Sequence, residues 1–485
     1  MQDLALLTDL YEITMMQGYY QEGIAERRVV FDLFFRSPPF DGGLTIAAGL
    51  EQAIDYITQL RFREEDLNYL RKTGLFDEAF LRHLRGFRFA GHVDAVPEGS
   101  VVFPQEPLVR IQAGLLEAQL LESALLNIIN FQTLIATKAA RIVQAAQGDQ
   151  VIEFGLRRAQ GPDAAVWGAR ASYIAGCTAT SNVLAGYRYG IPVRGTHAHS
   201  WVQAFPTELE AFQAYARAFP KNCLLLVDTY NVMKSGIPNA LKVADTLRKD
   251  GHKFVGIRLD SGDLAYLSTW ARKRLDEAGF SDATILASGD LDEYLIREIK
   301  NQGAAIDAWG VGTRLITAYD DPALGGVYKL VAKEIDGVLH PELKISENPA
   351  KITNPGIKQV ARLYTSDGKR AVADLLMLHD ETLDTDAPLT IFHPDYTWKR
   401  KTLERFSCRP LLIPVIRDGQ CVYSLPSLEQ VRQYCQEELS SFSPEHRRLV
   451  NAHTYFVDLS LSLWQLKQDL LRQGGAHYQD THPLA

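Results

Sequence analysis

The sequence predicts an α/β fold: a parallel β/α barrel over residues 141–335, an α+β domain before it (1–140) and a mixed α/β extension after it (336–485) that packs on the other two. Three observations predict this. The chain has 485 residues, too many for one small core. Its middle third alternates short apolar runs with helix-length segments, the pattern of β/α units. Finally, nearly every apolar run ends in charged, hydroxyl or glycine residues, where a barrel carries its site. An open doubly wound sheet has the same rhythm but would concentrate such residues near one switch point.

In the first 140 residues the pattern predicts a helix over Leu6 to Gln21, a strand over Arg28 to Phe35 and a helix over Leu50 to Ile57. Strands follow around Phe87 to Ala95 and Ser100 to Gln112, with Pro97-Glu98-Gly99 as the turn signal between them. The apolar stretch Leu115 to Ala146 is interrupted by Glu117, Glu122, Lys138 and Arg141, so it reads as an amphipathic helical region. Seven strand candidates come next. VIEF leads into Gly155 and Arg157, IPV into Gly195 and Thr196, CLLLV into Asp228 and Thr229, and KFVGI into Arg258 and Asp260. ATILA leads into Ser288, Gly289 and Asp290, IDAWGV into Gly312 and Thr313, and VYKLVAKEI closes the series. Beyond it, strands (Val360 to Leu363, Leu411 to Ile416) mix with charged helices (Ser427 to Leu439, Leu459 to Arg472).

Composition excludes several classes. With 46% hydrophobic and 23% charged residues the chain is ordinary globular protein. A net charge of -8 argues against nonspecific nucleic-acid binding. No apolar run approaches the ~20 residues that span a bilayer, so no membrane partner is expected. The first twenty residues carry early acids and no basic start, unlike a secretory signal. Five scattered cysteines (Cys177, Cys223, Cys408, Cys421, Cys435) contain no Cys-x-x-Cys pair. That usage suits a reducing compartment, and a cytoplasmic protein is expected.

Three clusters carry chemistry. In RGTHAHSWV (194–202) the histidines His197 and His199 alternate; an extended segment would put both on one face. A metal pair, core or capping histidines, and acid-base or nucleophilic use are all compatible with that spacing. In GIRLDSGDL (256–264) Arg258 and Asp260 share a side of the strand. A guanidinium fork suits a carboxylate or phosphate, and a carboxylate beside it suits sugar hydroxyls or magnesium. A structural ion pair with a helix cap at Asp263 or Ser261 would look the same. In ILASGDLDE and WGVGTRL, glycines between strand and helix expose backbone amides suited to phosphate, though Gly310 and Gly312 complete no dinucleotide or Walker fingerprint. An anionic substrate with a ribose and phosphates is expected; the base is not named by these residues.

In order along the chain, LTDLYEITM, FFRSPP with GGLTIAAGLE, EFGLRRAQGPDAA, GTHAHSWV, LLVDTYN, IRLDSGDL and GVGT resemble the nicotinate phosphoribosyltransferase family. The resemblance implies a type II phosphoribosyltransferase fold, an irregular α/β barrel assembled as a homodimer with shared active sites. It implies ATP-dependent synthesis of nicotinate mononucleotide from nicotinate and 5-phosphoribosyl 1-pyrophosphate, with magnesium (or manganese) as cofactor and ATP as co-substrate. By the same resemblance His199 is the phosphorylated catalytic residue, and Thr196 and Arg258 hold nicotinate. Tyr11 stacks on the ring from the partner subunit, and Arg157 lies near the base or its phosphate. Asp260 and Asp290 serve the ribose or magnesium, and Gly312 and Thr313 form the phosphate loop. Two other readings remain: a nicotinamide-using relative, and a non-catalytic metabolite-binding barrel.

Overall fold

In the computed structural model, which describes residues 4–348 and 351–481, the run RVVFDLFF forms the strand Arg28–Phe35, buried from its second residue onward. The chain divides into two compact units, Met1–Leu134 with Ala323–Ala485, and Ile135–Pro322. In the first unit that strand lies inside a seven-stranded antiparallel sheet, between Gly326–Ile335 and Val109–Gly114. VYKLVAKEI therefore does not extend the β/α series; it pairs antiparallel with Arg28–Phe35. The mid-strand charge Asp32 is tolerated because the buried Lys358 ammonium meets it at 2.8 Å. The first helix is Leu10–Gln21, shorter than its apolar pattern. Ser123 ties down the preceding Asp9, accepting its N–H at 3.3 Å and donating to its carboxylate at 2.6 Å.

The C-terminal part also holds a four-stranded sheet of Phe406–Pro410, Lys358–Thr365, Ala371–Leu378 and Val457–Leu459. Arg362 is fully buried in it. Its guanidinium donates to both oxygens of Asp374 (2.9 and 2.6 Å), to Glu438 at 2.8 Å and to the Val101 carbonyl at 2.7 Å. Beside Asp374 lies Glu106, completely buried, with one oxygen accepting the Phe103 N–H at 2.9 Å. Burial, then the neighbouring Asp374 carboxylate, pushes the Glu106 carboxyl well above its ordinary range. In its protonated form the carboxyl has the neighbouring Asp374 carboxylate as an acceptor.

The second unit holds the parallel sheet. Its strands run Ala179–Thr180, Gln150–Glu153, Ala308–Val311, Thr284–Ser288, Gly256–Leu259, Leu224–Leu226 in spatial order. The expected barrel is not closed: among the described residues no ladder joins Ala179–Thr180 to Leu224–Leu226. IPV contributes a single parallel bridge, Val193 to Thr180. Pro192 has no N–H to donate, and the chain soon turns into the helix His199–Gln203. Side chains cross the remaining seam. The Thr196 hydroxyl donates to the Leu224 carbonyl at 2.5 Å, and His197 Nε2 accepts the Leu226 N–H at 3.2 Å. Ile152, Leu224, Leu286 and Ala308, one from each of four strands, line a cavity of about 430 Å³ at the strands' N-terminal ends.

The interrupting charges of the apolar stretch are not a solvated stripe. Lys138, in the helix Glu122–Ala146, is fully buried between Glu293 (2.6 Å) and Asp320 (2.5 Å), and Arg141 meets Glu293 at 2.8 Å. Among the described residues no helix is long and apolar enough to cross a membrane.

Glu106 yields a test with a definite sign. Folding raises its pKa, so the linked stability is complete below the unfolded-chain value and is lost as pH rises through the folded value. Glu106→Gln, which can accept from Phe103 and donate to Asp374, is expected to be at least as stable as wild type at neutral pH and to remove the loss that begins as pH rises above the ordinary carboxyl range. Glu106→Ala is expected to cost about 1–3 kcal/mol. Urea unfolding across pH measures both; a Gln variant as unstable as the Ala variant would contradict the protonated bridge.

Candidate active site

The C-terminal ends of the parallel strands bring the chemistry together. Arg258 lies in Gly256–Leu259 and Asp260 just beyond it; Ser288 ends the neighbouring strand Thr284–Ser288. Pairing sets Leu286 opposite Arg258 and Ala287 opposite Leu259, so Ser288 stands beside Asp260. The strand period of two then places Arg258, Asp260 and Ser288 on one face. Gly289 makes the approach possible. Its φ is +105°, and a Cβ there would meet the Asp260 carbonyl at 2.3 Å.

These three residues form a closed ring. Arg258 Nε donates to Ser288 Oγ at 2.8 Å and Nη2 to Asp260 Oδ1 at 2.5 Å. Ser288 donates to the same Asp260 oxygen at 2.5 Å. The other oxygen, Oδ2, faces His199 Nε2 at 3.7 Å. Burial pushes the Asp260 carboxyl up, but the Ser288 hydrogen bond and the Arg258 guanidinium outweigh it and leave the group below its ordinary range. Under the guanidinium lies the Phe154 ring, 5.6 Å away, in the space that Gly310 leaves by having no side chain.

His199 opens its short helix, with Nδ1 3.1 Å from the Thr229 hydroxyl and Nε2 facing Asp260. His197 does not share its face. It is buried, its Nε2 serves the Leu226 N–H, and burial lowers its pKa to about 4, so it remains neutral. The extended segment and the histidine metal pair that it allowed are both corrected by the helix start at His199. Among the described residues no group of three or more His, Cys, Asp or Glu could hold a metal ion.

The other expected residues are placed less closely. Thr196 spends its hydroxyl hydrogen on the seam, so toward a ligand it offers only an acceptor. Arg157 is exposed on the turn Leu156–Arg158, and Asp290 is exposed with φ +44° just after Gly289. Gly312 precedes the helical turn Thr313–Ile316. Tyr11 belongs to the first unit, 47% exposed on its helix. There burial, then Glu122 and other carboxylates, pushes its hydroxyl up to about 12.

Four residues at strand ends escaped the sequence reading as site members. Asp228 accepts the Asp260 N–H at 2.9 Å and the Ser261 hydroxyl at 2.7 Å, while its Oδ1 is buried with no hydrogen-bond partner among the described residues. Glu153, its carboxyl raised by burial, accepts the Thr180 hydroxyl at 2.6 Å and the Gly155 N–H, fixing the loop that carries Arg157. Thr229 and Ser288 complete the set. Their signal was the one that marked Arg258 and Asp260, a polar residue ending an apolar run.

Three family models match in chain order. The N-terminal domain of nicotinate phosphoribosyltransferase matches residues 6–130, the nicotinate phosphoribosyltransferase family model residues 150–358 and the C-terminal domain residues 357–467. The chain is 49% identical to the nicotinate phosphoribosyltransferase of Bacillus subtilis (strain 168), over 97% of this chain and 96% of that one. It is 37% identical to the human enzyme of that name, over 96% of each. The crystal structure of human nicotinic acid phosphoribosyltransferase superposes with a TM-score of 0.85 at 35% identity, covering 96% of this chain and 99% of that one. A parallel strand order that gathers Arg258, Asp260 and His199, and a likeness running nearly end to end, lead to one conclusion: this chain belongs to the nicotinate phosphoribosyltransferase family.

Proposed function

We propose that the protein joins nicotinate to the ribosyl C1 of 5-phosphoribosyl 1-pyrophosphate, making nicotinate mononucleotide and releasing pyrophosphate, for NAD synthesis. ATP cleavage to ADP and phosphate is coupled to it through a phosphohistidine at His199. The observation that carries this reading is the match of all three family models in order along the chain. The reading makes the curled parallel sheet the family's irregular barrel, with Thr196 and His197 in place of a backbone seam.

Each residue has a physical task in it. Arg258 receives the nicotinate carboxylate, since its guanidinium supplies paired donors to a planar anion. Thr196 lines the edge of the ring, and Arg157 meets the base or its phosphate. As the pyridine nitrogen bonds to C1 the C1–oxygen bond to pyrophosphate breaks, and positive charge grows on the ribose. Anionic carboxylates nearby, Asp260 foremost, stabilise that charge. Amides around Gly312 and Thr313 cradle phosphate oxygens. His199, held between Thr229 and Asp260, takes the phosphoryl group from ATP and yields it to water.

Magnesium (or manganese) belongs to this reading as the ion that neutralises the leaving pyrophosphate. Such an ion needs one or two protein carboxylates, the rest of its shell being phosphate and water. Asp260 has one oxygen taken by Arg258 and Ser288 and the other 3.7 Å from His199, whereas Asp290 is exposed and one Asp228 oxygen accepts no hydrogen bond among the described residues, so those two fit the role better. A homodimer with shared sites is supported by Leu7, Leu10, Tyr11 and Met15, apolar side chains exposed near one another along the N-terminal segment and its helix. From a second copy Tyr11 would stack on the pyridine. Five free thiols support a cytoplasmic setting.

Two outcomes check the reading. His199→Asn is expected to lose all acid-labile label from radioactive ATP and all ATP coupling, yet keep slow ATP-independent synthesis. Undiminished label in that variant would refute the assignment. Arg258→Gln is expected to raise the KM for nicotinate roughly a hundredfold, as loss of a charge-assisted pair of hydrogen bonds implies; initial rates at varied nicotinate measure it.

A further inference from the structure

The Arg258 guanidinium is not free to meet a ligand with any edge. Its five N–H bonds form two forks: a side fork of Nε with Nη2, and an end fork of Nη1 with Nη2. The chain occupies the side fork itself, with Ser288 Oγ on Nε at 2.8 Å and Asp260 Oδ1 on Nη2 at 2.5 Å. Ser288 also donates to that Asp260 oxygen at 2.5 Å, so it closes the ring rather than adding a loose contact. Only the end fork remains to face a substrate. Ser288 is 2% exposed, and its position is set by the strand register and by the close approach at Gly289.

We propose that Ser288 is the residue that makes Arg258 selective for an acid over its amide. With the side fork filled and Phe154 beneath the plane, the guanidinium is locked with two parallel N–H bonds pointing outward. A carboxylate answers both with its two oxygens. A carboxamide answers one, and its own NH2 meets the other N–H donor to donor, which is a repulsive contact. Without Ser288 the Nε–H is unpaired, and the guanidinium can rotate about its last bonds and present its side fork or a single N–H. An arginine free to do so still attracts an acid but no longer penalises the amide. Ser288 is a positioning residue that acts through Arg258.

This inference rests on the proposed role of Arg258, and the experiment separates the two. Wild type, Ser288→Ala, Ser288→Cys and Arg258→Gln are compared for KM with nicotinate, KM with the phosphoribosyl donor, and the ratio of kcat/KM for nicotinate over nicotinamide. Ser288→Ala is expected to raise the nicotinate KM roughly tenfold, as loss of one hydrogen bond to a charged group implies. The acid-over-amide ratio is expected to fall by at least as much, with the donor KM within twofold of wild type. Ser288→Cys, near in volume but a weak acceptor, carries the same expectation if the alanine variant does not fold. A Ser288 variant with wild-type nicotinate KM and ratio overturns the proposal. So does one whose losses fall equally on both substrates, since that is the signature of a merely structural role. If Arg258→Gln leaves the nicotinate KM unchanged, the arginine reading itself fails; if Arg258→Gln impairs nicotinate while Ser288→Ala does not, only the proposal about Ser288 fails.

Discussion

The Asp260 carboxylate is the point on which the site depends, because its two oxygens serve different neighbours. Oδ1 takes the Arg258 and Ser288 hydrogens, and Oδ2 faces His199. One side chain thus fixes the cation that would read the acid and the imidazole that would carry phosphate. It can do so only because Asp228 holds its backbone N–H from the next strand and Gly289 lets the strand on the other side come close. The arrangement also keeps Asp260 ionised despite burial, since each donor that positions it also favours its charge.

The seam of the parallel sheet is the second consequence of sequence chemistry. Pro192 cannot extend a ladder, so the chain leaves the sheet after one bridge and spends two side chains, Thr196 and His197, to hold the last edge. A histidine in that place must be neutral to accept the Leu226 N–H, and burial keeps it so. His199, two residues on, is released from that duty and stands at the mouth instead.

Much of this was legible in the residues. The run Arg28–Phe35, apolar but for Arg28 and Asp32, announced a strand, and the period of two in IRLD announced that Arg258 and Asp260 share a side. What was hidden had specific causes. Ser288 and Asp228 end strands as ordinary turn residues also do, and only the parallel register shows Ser288 beside Asp260. The split between His197 and His199 depends on a helix that starts within the motif, where no strong cap residue marks it. VYKLVAKEI has the same pattern in a parallel or an antiparallel sheet, and its partner Arg28–Phe35 is about three hundred residues away. Lys138 and Arg141 read only as charges interrupting an amphipathic helix because their counter-ions, Glu293 and Asp320, lie far along the chain.

The central claim is the transfer of phosphoribose to an acid rather than an amide. The most direct measurement supplies nicotinate and nicotinamide together at equal concentration with the phosphoribosyl donor, ATP and magnesium, and separates the nucleotide products by chromatography. Nicotinate mononucleotide, formed in step with pyrophosphate, is the predicted product. Nicotinamide mononucleotide as the main product, or no pyrophosphate at all, would contradict the account.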